Sequence, residues 1–403
     1  MDILFLNCSY SALQVAEFQK NSKRGFQSAA QNYQEALTEG FVNNPTVSLK
    51  VLSIPSLSTF PLGNNCLFIK NAPYVFDGNE LGKSFGFLNL PILNKAHQSR
   101  IDRYIDNWYA ESKSEEKVIL VYAMLRHLMQ YAVDAKRRHK DIKLCLIVPD
   151  LPIYMNCNKY YKSLGLQKRD IEVINLLYRS FDKYVLLTEP MAQYLQLSNR
   201  PYLIVDGLYG ETPFSVEQKV DCNAKTLMYA GGIQTRYGVF DLIEAFTQID
   251  DKNFRLVLCG PCSEMDTLTQ YLHRDNRIQY LGVIPTTSVR EMQKSVTLLV
   301  NPRHSNEEFT KYSFPSKTIE YMASGTPVLM CPLPSMSKEY YNYVYLFDDE
   351  SINGMRDKII SICSLDSKEL SKKGYNARNF ILENKTAAKQ VSRIIYFLHT
   401  NEC

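Results

Sequence analysis

"YSFPSKTIEYMASGTPV", residues 312–328, sets a Pro, a Ser and a Lys ahead of a short apolar-periodic run, places one Glu inside it, and closes on Gly and Pro. Pro315 suits the first turn of a helix, where its missing N–H is not needed. Ser316 can act as a cap by accepting from a free N–H. Ile319, Met322 and Ala323 fall at i, i+3 and i+4 and form one apolar face. Gly325 suits the position just past the last turn, and Pro327 prevents continuation. The stretch therefore predicts a helix over 315–324 followed by a buried strand over 328–331.

The start of that helix carries free N–H groups and partial positive charge, and Lys317 adds a full charge. The combination suits a phosphate. Glu320, one turn further in, can accept from two vicinal hydroxyls, as an acidic residue does for a ribose in dinucleotide folds. Phosphate and then ribose describe a nucleotide. The same residues also fit a plain surface helix with Lys317 and Glu320 solvated.

Working outward, short β-rich apolar runs alternate with amphipathic segments, the pattern of parallel βαβ units. Strands are predicted over 3–6, 47–54, 118–122, 144–148, 184–188 and 202–205, with helices over 123–136 and 169–180 among them. The polar, turn-rich "DGLYGETPFSVEQKVDCNAK" (206–225) reads as a linker. The alternation then restarts: strands over 226–229, 254–259, 278–281, 296–300 and 328–331, helices over 239–248, 264–273, 287–294 and 315–324. At 403 residues the chain exceeds the roughly 250–300 at which single cores stop growing. Two doubly wound α/β domains are expected, over 1–205 and 226–385, with 386–403 a C-terminal helix packing back toward the first.

Composition is that of a globular protein, 45% hydrophobic and 22% charged, and the net charge of +4 does not argue for nucleic acid. The ten cysteines read as scattered single thiols, which fits a reducing cytoplasm better than a disulfide framework or a zinc site. "DILFLNC" is too short to span a bilayer, and no run of about 18 apolar residues occurs. The basic cluster "KRRHK" (136–140) has two readings: favourable charge near a helix C-terminus, or peripheral contact with an anionic membrane face.

"YSFPSKTIEYMASGTPVL" resembles the C-terminal donor-binding motif of family 4 retaining glycosyltransferases, in the subset that makes bacterial capsule, exopolysaccharide and O-antigen chains. "TLMYAGGIQTRYGVFDLIEAF" (226–246) looks like the first strand–loop–helix of the same domain, and "LLVNPR" (298–303) like the strand and loop before the Glu helix. "LCLIVPDLPIYM" (144–155) and "KYVLLTEPMAQYL" (183–195) fit more loosely. The resemblance implies a GT-B fold, two Rossmann-like domains facing a cleft, with the nucleotide-sugar donor in the C-domain and the acceptor in the N-domain. It implies retention at the sugar, the departing phosphate oxygen helping to remove the acceptor proton, and no metal: no DxD-type motif stands out. A UDP-linked hexose and a saccharide or lipid-linked saccharide acceptor are the substrates it suggests.

Carried over residue by residue, the family's ribose glutamate matches Glu320. Its other glutamate, eight positions earlier, falls on Tyr312, and Glu307 or Glu308 are its conjectural substitutes. The two cations that many members place on the diphosphate fall on Gly232 and Tyr237. Arg236, Arg303 and Lys317 are the candidate replacements. Each also has a plain reading: an exposed loop charge, a structural partner of Glu307 or Glu308, and a solvated first-turn residue. Gly231 and Gly232 would let backbone approach phosphate closely, and Ser313, Phe314 and Ser316 complete the donor set with Tyr312. The N-domain His of many members is absent, and Asp150 is the nearest polar group, readable as a catalytic group or as a turn residue before Pro152. The catalytic set is thus Asp150, Arg303 and Lys317. The departures also admit a non-catalytic member of the family acting as scaffold or partner subunit. A nicotinamide dehydrogenase is disfavoured because "LFLNCSYSALQ" holds no GxGxxG.

Overall fold

The computed structural model describes residues 1–23, 28–91, 93, 97–154, 165–210 and 225–400. Of the expected linker, residues 211–224 lie outside that set, as do Met155 and residues 401–403 of the C-terminal segment. The chain divides into two compact units: Met1–Gly210 together with the C-terminal residues from Ala387, and Glu211–Thr386.

The first unit is built on one sheet of β1 (Asp2–Asn7), β2 (Ser48–Ser53), β3 (Ala72–Phe76), β4 (Asn79–Ser84), β5 (Lys117–Tyr122), β6 (Lys143–Val148), β7 (Lys183–Leu186) and β8 (Tyr202–Ile204). Its order is β3-β4-β2-β1-β5-β6-β7-β8. All neighbours are parallel except β3 and β4. Ile3–Leu6, Val118–Val121 and Leu144–Val148 are buried without alternation, because helices cover both faces of a parallel sheet. The sequence reading has no β3–β4 hairpin. Its turn is Asp77-Gly78, with φ +46° and +74°, the two positive values that a tight hairpin turn requires and that Asp-Gly supplies.

Helices α1 (Ser28–Val42) and α2 (Arg126–Arg138) flank this sheet. The second unit holds α3 (Val239–Thr247) and α4 (Ser316–Ser324), and the chain then returns to the first unit as α5 (Ala387–His399). There Val391, Ile394, Ile395 and Leu398 join Ile3, Phe5, Leu37 and Phe41 in one core. Gly40 of α1 permits the approach, since a β-carbon there would lie 2.5 Å from Val391 Cγ2 and 2.7 Å from the Ala387 carbonyl oxygen. At the other end of α5, Lys183 Nζ donates to the carbonyls of Phe397 (2.5 Å), Leu398 (3.0 Å) and Thr400. A cation there meets the negative end of the helix dipole, although burial and the Lys143 charge pull its pKa below the ordinary lysine value.

The cluster 136–140 is largely neutralised inside this unit. Lys136 pairs with Asp182, Arg137 with Asp134, Arg138 with Asp102 and Asp106, and His139 with Asp106. That leaves little free charge for an anionic membrane. Among the described residues no helix is long and apolar enough to cross a bilayer.

Because a β-carbon added at Gly40 would meet both a side chain and a carbonyl, Gly40→Ala is expected to lower the stability of the first unit by about 1–3 kcal/mol, the usual range for overpacking. Urea unfolding followed by circular dichroism measures it, and an unchanged midpoint would mean that α5 shifts at no cost.

Candidate active site

The second unit's sheet contains β9 (Lys225–Ala230), β10 (Phe254–Cys259), β11 (Ile278–Tyr280), β12 (Leu298–Asn301), β13 (Val328–Met330) and β14 (Tyr345–Leu346). All are parallel, in the order β11-β10-β9-β12-β13-β14. Successive strands run outward one way from β9 and then the other way from β12. In open α/β sheets ligands gather where the order reverses, at the carboxyl ends of the strands. Here those ends carry Gly231-Gly232, after β9, and Pro302-Arg303, after β12.

Helix α4 is fixed over this point by two ties. Tyr321 Oη accepts from the Ala230 N–H at 2.7 Å and donates to the Ala230 carbonyl at 3.2 Å. Asn301 Nδ2 donates to Thr318 Oγ1 at 3.1 Å, which binds the end of β12 to the first turn of α4. One turn before Tyr321, the Lys317 side chain is thereby laid across Gly231. A β-carbon at 231 would sit 1.7 Å from Lys317 Nζ, so only glycine admits the ammonium. Lys317 Nζ donates to Tyr229 Oη at 3.3 Å, and Tyr229 Oη donates to the Gly232 carbonyl at 2.9 Å. Burial holds the Tyr229 phenol well above its ordinary pKa, so it stays neutral and keeps its proton to donate.

Three cations gather on one ring. The Arg236 guanidinium lies 4.7 Å from the Tyr237 centroid, the Arg303 guanidinium 5.6 Å and Lys317 Nζ 5.7 Å. Phe309 backs Arg303 at 4.5 Å, and Arg303 Nη2 donates to Ser313 Oγ at 3.3 Å. Arg236 is exposed and is held by Gln234 Oε1 and Tyr237 Oη. Among the described residues neither Lys317 nor Arg236 forms an ion pair with a carboxylate. Burial, and then the Arg303 charge, bring the Lys317 pKa down to about 8, with Glu320 opposing the fall. Concentrated like charge of this kind favours an anion.

The remaining candidates divide. Glu320 is half-buried and close enough to act electrostatically on Lys317. Tyr312 is half-buried, and Glu307 and Glu308 are exposed in the loop before it. Phe314 is buried and packs on Tyr340 with centroids 5.7 Å apart. Ser316 is not the expected cap. The helix begins at Ser316 itself, Pro315 occupies the cap position, and no side-chain cap bond forms. The Ser316 and Thr318 N–H groups are taken by the carbonyls of Phe314 and Pro315, so Lys317 rather than bare helix N–H groups dominates the positive field. Asp150 lies in the first unit, exposed after β6.

Sequence reasoning passed over Tyr229 and Tyr237 as binding elements, although both flank the glycine pair. It also passed over a CxxC spacing, Cys259-Gly260-Pro261-Cys262, so the cysteines are not all scattered singly. That run continues β10 beside the glycine loop: Gly231 N–H donates to the Cys259 carbonyl and Ile233 N–H to the Pro261 carbonyl. The run also supplies Gly260, with φ +126°, whose absent β-carbon would meet the Gly231 carbonyl at 2.1 Å.

Residues 213–380 match the family model described as glycosyl transferases group 1. A search of curated proteins finds no match. Among solved structures the chain is similar to sucrose-phosphate synthase from Thermosynechococcus elongatus, with TM-score 0.64, 13% identity and 98% of both chains covered. HepE of Anabaena, solved in complex with UDP, gives TM-score 0.64, 14% identity and 99% of both chains. A glycosyltransferase from Rickettsia africae gives 0.61, 11% and 100% of both. At these identities the likeness shows the fold: two Rossmann-like α/β domains of the GT-B class.

Because the depressed Lys317 pKa must rise again beside a diphosphate, binding takes up a proton wherever the pH lies between the free and bound values. Affinity for a nucleoside diphosphate is therefore expected to be flat below pH 8 and to fall above it, by up to about tenfold per pH unit. Calorimetric titration in two buffers of different ionisation heat reads the proton directly. Lys317→Met should abolish both the uptake and the slope, and a wild-type affinity independent of pH from 7 to 9.5 would overturn the assignment.

Proposed function

We infer that the second unit binds the nucleoside diphosphate of an activated sugar and that the protein transfers the sugar to an acceptor hydroxyl. The observation that carries this reading is the set of three cations around Tyr237, one of them, Lys317, laid over Gly231 at the reversal point of the sheet. The match of residues 213–380 to a glycosyltransferase family model supports it. So does the UDP held by Anabaena HepE, a protein of the same fold.

In this reading the diphosphate lies along Gly231 and Gly232. As the glycosidic bond breaks, negative charge grows on the leaving phosphate oxygen, and Lys317 and Arg303 neutralise it in place. Preorganised charge aimed at where charge develops is commonly the largest single contribution to such a rate. Glu320 accepts from the ribose hydroxyls, and the cations replace a metal at the diphosphate. Retention, a UDP-linked hexose, and a saccharide or lipid-linked saccharide acceptor of bacterial surface-polysaccharide synthesis in the cytoplasm are proposed from the resemblance of Tyr312–Leu329. Asp150 is assigned to the acceptor side from the looser resemblance of residues 144–155, where it is the polar group nearest the place of the absent histidine.

UDP or GDP without added metal is expected to raise the melting temperature, as any ligand selective for the native state must. Glu320→Ala should weaken nucleotide binding about ten- to a hundredfold, since a hydrogen bond to a charged group contributes about 1.5–3 kcal/mol. Arg303→Ala should lower turnover about a hundredfold or more while affecting nucleoside monophosphate binding less, because a monophosphate lacks the leaving oxygen. Nucleotide binding with no transfer from any donor would favour the scaffold or partner-subunit reading, and no binding at millimolar nucleotide would overturn the donor site itself.

A further inference from the structure

Beyond the phosphate cluster, the carboxyl ends of β12, β13 and β14 converge on a second group of side chains. His304 stands three residues past β12, Cys331 directly follows β13, and Glu350 lies in the loop after β14. One ligand atom from each of the three lies within 4.8 Å of the other two. The His304 ring is oriented from its far side: Nε2 lies 2.6 Å from Asp241 Oδ2, in the first turn of α3. A carboxylate there fixes the proton on Nε2 and turns Nδ1 inward as a lone pair, the arrangement that orients histidine ligands in metal sites. Inward, Nδ1 lies 3.2 Å from Glu350 Oε2. With the proton on Nε2, that places a lone pair against a carboxylate, a contact that a shared cation resolves. Glu350 is itself held, its Oε2 accepting from the Ser305 N–H at 2.9 Å.

We propose that His304 Nδ1, Cys331 Sγ and a Glu350 carboxylate oxygen form a zinc site, with Asp241 as the outer partner of the histidine. The donor set of one nitrogen, one sulfur and one oxygen suits a borderline-soft ion. It does not suit magnesium or calcium, which take oxygen. Bond lengths of about 2.0–2.3 Å around a tetrahedral ion place ligand atoms roughly 3.3–3.7 Å apart, so the spacing observed needs only small side-chain adjustment. The ligands stand on three adjacent strand ends, a rigid base. Cys331 is fully buried, while the His304 and Glu350 side chains are 21% and 22% exposed, which gives an ion access and leaves the fourth position to water. Binding displaces the Cys331 thiol proton to solvent. The site shares no residue with the cation cluster and does not depend on what binds at Gly231. Its effect would be to pin the loop that carries Arg303, next in sequence to His304, to the two neighbouring strands.

The competing arrangement is a metal-free one, with a doubly protonated His304 bridging Asp241 and Glu350. Purified full-length protein stripped with chelator is titrated with cobalt(II), whose thiolate bond absorbs in the near ultraviolet, and in parallel with zinc chloride while melting is followed. The expected result is a thiolate band saturating at one equivalent and a higher melting temperature with zinc. Both should persist in Cys262→Ser and be lost in Cys331→Ser. His304→Gln, which leaves the thiol in place, should weaken zinc binding at least tenfold, and it serves if Cys331→Ser does not fold. No thiolate band in the wild type, a band that survives Cys331→Ser, or zinc affinity unchanged in His304→Gln would each overturn the site in favour of the bridging imidazolium.

Discussion

The Lys317 ammonium stands where a β-carbon at position 231 would be. That single exclusion of volume couples the end of β9, directly followed by Gly231, to α4, which carries the lysine. The ties from Tyr321 to Ala230 and from Asn301 to Thr318 hold the two elements in register. A larger residue at 231 would expel the charge, and a shift of α4 by one position would leave it above a different backbone atom. The positive field at the sheet's reversal point is therefore a product of packing as much as of composition. Two tyrosine rings complete it: Tyr229 accepts from the lysine, and Tyr237 collects cations from three separate segments.

Much of this was legible from residue order. The i, i+3, i+4 spacing of Ile319, Met322 and Ala323 predicts α4, and the helix runs over Ser316–Ser324. Lys317 is identifiable by type and place. What the chain does not announce is which aromatic hydroxyls serve the site. Tyr229 sits in a strand that reads as core, and the contact that matters is with a residue 88 positions away. Ser316 shows the opposite failure: its place at the helix start suggested a cap, while Pro315 occupies the cap position and the hydroxyl makes no cap bond. The hairpin at Asp77-Gly78 and the CxxC at 259–262 had signals in plain view that the strand and cysteine readings did not use. His304, Cys331 and Glu350 had none, since their separations match no metal-ligand spacing and only the strand ends bring them together.

The departures from the pattern that 226–246 and 312–329 resemble acquire a physical sense in this geometry. Where that pattern often has a lysine, this chain has Tyr237, and a ring cannot neutralise charge. It can, however, seat cations on its face, and Arg236, Arg303 and Lys317 are all within reach of it. Positive charge thus arrives from the loop after β9, the loop after β12 and the start of α4. A field assembled from three segments depends on the order of each, which ties it to the packing beneath, including the contact of Gly260 on the Gly231 carbonyl.

The return of α5 to the first unit has a consequence for how the chain is made. Val391, Ile394, Ile395 and Leu398 supply one side of a core whose other members, from Ile3 to Val205, all precede the second unit in the chain. During translation that apolar surface must wait, uncovered, until the whole of the second unit has left the ribosome. Domains generally fold as units in order of synthesis, but here the later unit is free to finish first. If it does, the growing chain passes through a stage in which a completed second unit hangs from an unfinished first one, and that is the stage at which chaperones would find their substrate.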